Sequence, residues 1–199
     1  MGEPVRFHFD FASPYAYFAS TLIDGIGAEF DRPVEWRPVL VWAILKAHGI
    51  APPMEAPVKR AYFLKDMERS ARFLGVDYRE PVRLPLSSHL AARLYYVLHE
   101  DDPGVARSFA RSVFHAFFVA GEDISDDSTL VSIAKAHGMT EQAARDGMTG
   151  QMGRDLLQKA VTEAVADGVI GSPHFIADGE GFFGADRLPQ LRWHLETRG

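Results

Sequence analysis

Four apolar residues alternate with polar ones at the start of the chain. Val5, Phe7, Phe9 and Phe11 point one way, and Arg6, His8 and Asp10 the other. A period of two with aromatics marks a β-strand with one face in a core. Ser13-Pro14 follows at once, and Tyr15 to Ile23 runs without a breaker. That reads as a helix capped by Ser13 with Pro14 at its first position. Gly25, Gly27 and the Asp31-Arg32-Pro33 turn are expected to end it, and Val34-Glu35-Trp36-Arg37 to form a second strand. Strand, helix and strand in about forty residues make a βαβ unit, so the two strands run parallel with a right-handed crossover.

From Val39 to about Asp167 strand signals fade and capped helical segments take over. The pattern predicts helices over Ala56 to Leu74 (closed by Gly75), from Ser87 or Ser88 to Leu98, and over Pro103 to Ala120 (closed by Gly121). Asp127 or Ser128 should cap Thr129 to His137, Thr140 a short acidic turn, and Gly153 to Asp167 should form the last of the set. Strand signals then return: Phe175-Ile176-Ala177 and Phe182-Phe183 flank Asp178-Gly179-Glu180-Gly181, a hairpin pattern, with a closing helix over Arg187 to Thr197. That hairpin has only the N-terminal strands to pair with. The expected fold is α/β, a mixed sheet built from both chain ends (1–38 and 156–199) around an inserted all-helical domain (39–155).

Composition removes several functions. Among 199 residues there is no cysteine, so neither a disulfide, a thiolate metal site nor a catalytic cysteine can exist. Charge sums to 21 − 27 = −6, without the basic stripe that phosphate backbones need, so no nucleic-acid partner is expected. Glu3 and Asp10 interrupt any signal-peptide pattern, and the longest apolar run, Val39 to Leu45, falls far short of the ~20 residues of a membrane span. The expectation is a soluble, cytoplasmic protein with no membrane partner. No P-loop, dinucleotide fingerprint or Gly-x-Ser-x-Gly elbow occurs, and the scattered histidines predict no metal site. Phe109, Phe114, Phe117 and Phe118 recur at helical spacing and read as core or subunit interface.

Two segments could carry chemistry. In Phe9-Asp10-Phe11-Ala12-Ser13-Pro14-Tyr15, Ser13 satisfies an orphan N–H of the first helical turn, and an anion at that end would gain a few tenths to ~2 kcal/mol. In Gly168 to Phe175, Pro173 stands immediately before a strand, where it cannot donate to the ladder; only ~5% of X–Pro bonds are cis, and the residues leave the Ser172-Pro173 geometry open.

Taken together, these segments resemble a known family. Ser13-Pro14-Tyr15-Ala16 stands where a thioredoxin fold carries Cys-Pro-x-Cys, and Ser172-Pro173-His174-Phe175 stands at its cis-proline loop. With the Lys59-to-Gly75 segment bearing Tyr62, Asp66 and Arg69, and with Phe183-Gly184-Ala185-Asp186-Arg187-Leu188, the chain resembles the 2-hydroxychromene-2-carboxylate isomerases and the similar kappa-class glutathione transferases from end to end. The resemblance implies a thioredoxin-like fold, a homodimer and glutathione as the source of the thiol the chain lacks. It assigns Ser13 to the glutathione sulfur, the Ser172 backbone before Pro173 to its cysteinyl backbone, and Asp186 to its γ-glutamyl ammonium, with Phe183, Gly184 and Ala185 alongside. In the family reaction the thiolate adds to an electron-poor double bond, a single bond rotates, and elimination restores the double bond.

On the electrophile side the resemblance points to Lys46, Pro53, Met54, Leu84 and His174, around a small aromatic or polyketide-derived electrophile. Pro53-Met54 replaces the family's Asn-Arg, Ser172 a Val, His174 a Thr and Ala185 an Asn. His174 reads either as a general acid or base near neutral pH or as a histidine packed beneath the sheet. Lys46 reads either as an anion contact or as a solvated helix lysine. Three activities stay open: isomerase, kappa-like transferase on another electrophile, and a catalytically silent thioredoxin-fold binding protein.

Overall fold

The computed structural model describes residues 2–198. Strand β1 (Val5–Phe9) is central, paired in parallel with β2 (Val34–Pro38) and antiparallel with β3 (His174–Ala177), which carries β4 (Glu180–Phe183) on its outer edge. Both chain ends therefore contribute to one mixed sheet in the order β2-β1-β3-β4, as the alternation and the hairpin pattern require. The register sets Trp36, Phe7, Phe175 and Phe182 in one row on one face, and Arg37, His8, His174 and Phe183 in the next row on the other.

The chain between the Ser-Pro cap and β2 departs from the expected single helix. It forms α1 (Pro14–Ser20) and α2 (Ile23–Glu29). The hydroxyls of Ser20 and Thr21 donate to the carbonyls of Tyr17 (2.6 Å) and Phe18 (2.7 Å), a side-chain competition that ends α1 early. Gly25 and Gly27 do not terminate a helix; both lie inside α2. Gly27 is needed for proximity, because a Cβ there would meet Val34 Cγ2 at 2.5 Å and the Arg32 carbonyl at 2.6 Å.

After β2 come α3 (Val41–Ala47), α4 (Pro57–Leu74), α5 (His89–Asp101), α6 (Pro103–His115), α7 (Asp127–Ala136), α8 (Glu141–Thr149) and α9 (Gln151–Ala166), with α10 (Leu188–Arg198) after the hairpin. Gly75 closes α4 at φ 66°, and Thr140 caps α8 through Ala143 N (3.1 Å), both as expected. Several boundaries shift. Helix α5 runs on to Asp101, past the expected end at Leu98. The cap of α7 is Asp126, whose carboxylate accepts from Ser128 N (3.0 Å). Helix α9 begins at Gln151, ahead of Gly153. The last turn of the Pro103–Ala120 helix relaxes to a π-helical turn over Ala116–Ala120. The hairpin is also tighter than four residues: Asp178 (φ 51°) and Gly179 (φ 79°) alone connect the strands, the pair of positive φ angles that a two-residue turn between twisted strands demands.

One core joins sheet and helices. Phe9 stacks on Phe7 (4.9 Å between ring centroids) and meets Phe11, Trp36, Tyr95 of α5 and Phe114 of α6. The Tyr95 and Tyr96 hydroxyls donate to the Trp36 and Pro38 carbonyls (2.7 and 2.8 Å), which fixes α5 against β2. Among the described residues no helix is long and apolar enough to cross a membrane.

Candidate functional site

Leaving the sheet at Phe9, the chain makes a tight turn in which Ser13 N donates to the Asp10 carbonyl (2.9 Å). This sets Ser13 in extended backbone at the N-cap of α1, half-buried. Its Oγ accepts from Ala16 N (3.3 Å) and donates to the carbonyl of Ser172 (3.1 Å). Because α1 has only seven residues, these hydroxyl and amide donors, rather than a long helix dipole, set the local electrostatics.

Opposite lies the loop entering β3. The Ser172-Pro173 peptide is cis, and Ser172 Oγ accepts from Asp10 N (2.8 Å). The Pro173 carbonyl accepts from Gly184 N (3.0 Å), so the end of β4 is tied to this loop. Gly184 stands at φ 109°, and the following 3₁₀ turn, Ala185–Arg187, packs against α1. The ring of Phe183 lies against Gly171, where any side chain would collide with it. Asp186 is exposed and pairs with Arg187 Nη2 at 3.3 Å.

Ser13 and Gly184 are therefore each tied by a direct hydrogen bond to the Ser172-Pro173 dipeptide, with Phe183, Ala185 and Asp186 adjoining Gly184 in the chain. The electrophile-side positions are placed differently. Lys46 is exposed in the last turn of α3, with no ion pair among the described residues. Pro53 is exposed and Met54 half-buried in the segment before α4. Leu84 is buried, begins a second cis peptide at Pro85, and accepts from Arg60 Nη1 through its carbonyl (3.2 Å). Among the described residues none of these four shares a hydrogen bond with Ser13. Of the α4 residues matched to the family, Asp66 accepts from the Tyr15 hydroxyl (2.6 Å) and from Arg69, tying α4 to the first turn of α1.

His174 is packed on one face of the sheet, in β3 between β1 and β4. It is buried, its ring stacks with Phe183 (6.2 Å), and its Nδ1 has no partner. Directly across the ladder, His8 is fully buried with neither ring nitrogen bonded. Burial lowers the pKa of His174; burial first, then Arg37, His174 and Arg6, pushes His8 down to about 3. On the facing α9 side, Glu163 reaches Arg37 (3.4 Å) and Asp167 reaches Arg6, so the nearby cations already have partners. Both shifts favour the neutral imidazole.

A pH signature follows. The unfolded chain takes up protons at these histidines near pH 6.5 that the folded chain refuses, so their contribution to stability is full above pH 6.5 and drains as pH falls toward 3, while the raised Asp10 carboxyl acts with the opposite sign in both parent and variant. His8 alone should cost ~2 kcal/mol between pH 8 and pH 5. Asp178, held low by its hydrogen bond from Arg32, acts only below the usual carboxylate range. Urea unfolding at pH 8 and pH 5 measures the loss, and His8→Gln should shrink it; equal losses in both proteins would contradict the assignment.

Asp10 and Ser88 are site residues that sequence reasoning misses. The Asp10 carboxylate accepts from Ala12 N (2.9 Å), Ser88 Oγ (2.6 Å) and Val41 N (2.8 Å). Ser88 stands at the cap position of α5, yet its hydroxyl goes to Asp10 and makes no cap bond. The one local signal is an acidic residue on the strand's own period, directly before the Ser-Pro cap.

Comparison with known proteins agrees with this fold. The profile of the DSBA-like thioredoxin domain matches residues 4–196. Glutathione S-transferase kappa 2 of Caenorhabditis elegans is 27% identical, over 94% of this chain and 89% of that protein. The 2-hydroxychromene-2-carboxylate isomerase of Sphingobium xenophagum is also 27% identical, over 98% and 99%. A solved structure of 2-hydroxychromene-2-carboxylate isomerase superposes with a TM-score of 0.87 at 20% identity, covering 97% of this chain and 94% of that one. By a match that spans almost its whole length, the chain belongs to the DSBA-like thioredoxin domain family.

Proposed function

We propose that this protein is a glutathione-dependent isomerase of the 2-hydroxychromene-2-carboxylate isomerase type, acting on a small aromatic or polyketide-derived electrophile. The observation that carries the reading is the 3.1 Å contact between the Ser13 hydroxyl and the Ser172 carbonyl, in a thioredoxin-type site of a chain without cysteine. Bound there, glutathione would supply the thiol for reversible addition to an electron-poor double bond.

The chain's own residues have the donor set for such a tripeptide. Ser13 Oγ uses a lone pair for Ala16 N, which leaves its proton free to turn from the Ser172 carbonyl to a sulfur anion and favour the thiolate. The Ser172 backbone, ahead of the cis-proline, would pair with a peptide backbone. Asp186, exposed on the turn packed against α1, is a carboxylate for an α-ammonium, in competition with Arg187. Lys46 would take an anionic group of the electrophile, with Pro53, Met54, Leu84 and His174 as a largely apolar wall. Cytoplasmic location and homodimeric assembly belong to the same reading.

A kappa-like transferase on another electrophile is the second reading; the loss of polar family positions at Pro53-Met54 and Ala185 suits an altered electrophile pocket and equally motivates the silent binding protein. Both readings require glutathione to bind. At about 100 times its Kd, glutathione should add ~2.7 kcal/mol, or about 5–10 °C in melting temperature for a chain of this size. No shift at saturating glutathione would remove both readings and leave a silent binding protein.

A further inference from the structure

We propose that Asp10 is the positioning residue that holds the glutathione-side and electrophile-side segments of this site in one register. The roles of those segments rest on the glutathione reading; the way they are held does not.

Asp10 is 6% exposed and makes no salt bridge among the described residues. Every hydrogen-bonding group of the residue is nevertheless used, and together they reach four segments of the site. Oδ1 takes Ala12 N (2.9 Å), at the approach to Ser13, and Ser88 Oγ (2.6 Å), four residues beyond Leu84. Oδ2 takes Val41 N (2.8 Å), the first residue of the helix carrying Trp42 and Lys46. The Asp10 N–H donates to Ser172 Oγ (2.8 Å), and its carbonyl accepts from Ser13 N (2.9 Å). The two halves of the Ser13–Ser172 contact thus hang from one residue.

Residue type matters here. All three partners of the carboxylate donate, so both oxygens must accept, and only a carboxylate of this length does that. An asparagine would turn an NH₂ toward Val41 N–H or toward Ala12 N–H and Ser88. Burial pushes the carboxyl up from its ordinary value, and the bonds from Ser88, Ala12 and Val41 oppose that rise. A buried carboxylate without a cation is a costly way to tie loops together. Its use is understandable where loops from residues 12, 41, 88 and 172 must meet within a few tenths of an ångström for two substrates to react.

The test is amide hydrogen exchange on the ligand-free full chain, comparing the parent with Asp10→Asn. Exchange should rise about tenfold or more in peptides covering 11–16, 41–45 and 86–92, with the 175–183 hairpin and α7–α8 unchanged. Unchanged exchange, or a uniform rise, overturns the proposal whatever glutathione does. With glutathione and 1-chloro-2,4-dinitrobenzene as probe, kcat per glutathione-occupied molecule should fall about 10–100-fold while KM for glutathione stays within about threefold. An unchanged kcat also overturns it. If the parent binds no glutathione but the three segments loosen together, the positioning role stands and the glutathione reading falls. Should Asp10→Asn fail to fold, Ser88→Ala keeps the carboxylate and is read by the same exchange at 11–16 and 86–92, with the same overturning results.

Discussion

Ser13→Ala should lower turnover of glutathione with an electrophile by about 10²–10³-fold while the protein stays folded. The size follows from what is removed: a fixed donor aimed at a developing or resting anion, comparable to one donor of an oxyanion hole. The structural loss is separate and small. Ser13 Oγ caps one amide, Ala16 N, from 3.3 Å, and losing such a cap costs about 1 kcal/mol, or roughly 2–4 °C. The lost bond to the Ser172 carbonyl leaves an oxygen that Ser172's half-buried position lets water reach. Steady-state kinetics with a thermal melt separates the two effects. Parent-like kcat/KM with a lower melting temperature would make Ser13 a cap and nothing more.

Phe9→Ala should cost about 3–5 kcal/mol, several times the loss expected from removing the Ser13 cap. Phe9 is fully buried at the end of β1, and its ring lies 4.9–6.2 Å from the rings of Phe7, Phe11, Trp36, Tyr95 and Phe114. It therefore touches neighbours in the sheet, the turn that follows it and two helices of the inserted segment. Truncation opens a cavity that stacked aromatics cannot refill, since each is held by its own backbone. Phe73→Ala, on a side chain 86% exposed, should by contrast stay within about 0.5 kcal/mol. Urea denaturation of both variants checks this; a Phe9→Ala cost below about 1.5 kcal/mol would mean that the sheet and helices pack independently at this point.

These two positions also show what a sequence carries openly. Phe9 declares itself by alternation, and Ser13 by standing before Pro14, because both are local patterns read over a few residues. The same holds for Gly75, Thr140 and the hairpin pattern around Asp178-Gly179. Local signals mislead where a distant neighbour decides. Gly27 looks like a helix stop, yet its lack of a side chain serves the close approach of Val34 and Arg32. Ser88 looks like a cap, yet its hydroxyl goes to a carboxylate 78 residues away. Asp10 is hidden for the same reason: its partners lie at 12, 13, 41, 88 and 172, and no window along the chain contains them. The residues that the resemblance assigns to glutathione are legible through their family motif, and Ser13, Ser172, Pro173 and Gly184 among them are joined in space through Ser172 O, Pro173 O and Gly184 N. The electrophile side is less so, since Pro53-Met54 departs from that motif and makes no hydrogen bond to Ser13 among the described residues.

The absence of cysteine makes one titration unusually clean, because every thiolate absorbing in the ultraviolet must come from added glutathione. Titrating glutathione bound to the parent protein should give a thiol pKa at least one unit below the ordinary value of about 8.5, with the depression lost in Ser13→Ala. A bound thiol that titrates like the free tripeptide, or one equally depressed without Ser13, would contradict the claim that this hydroxyl holds the sulfur anion.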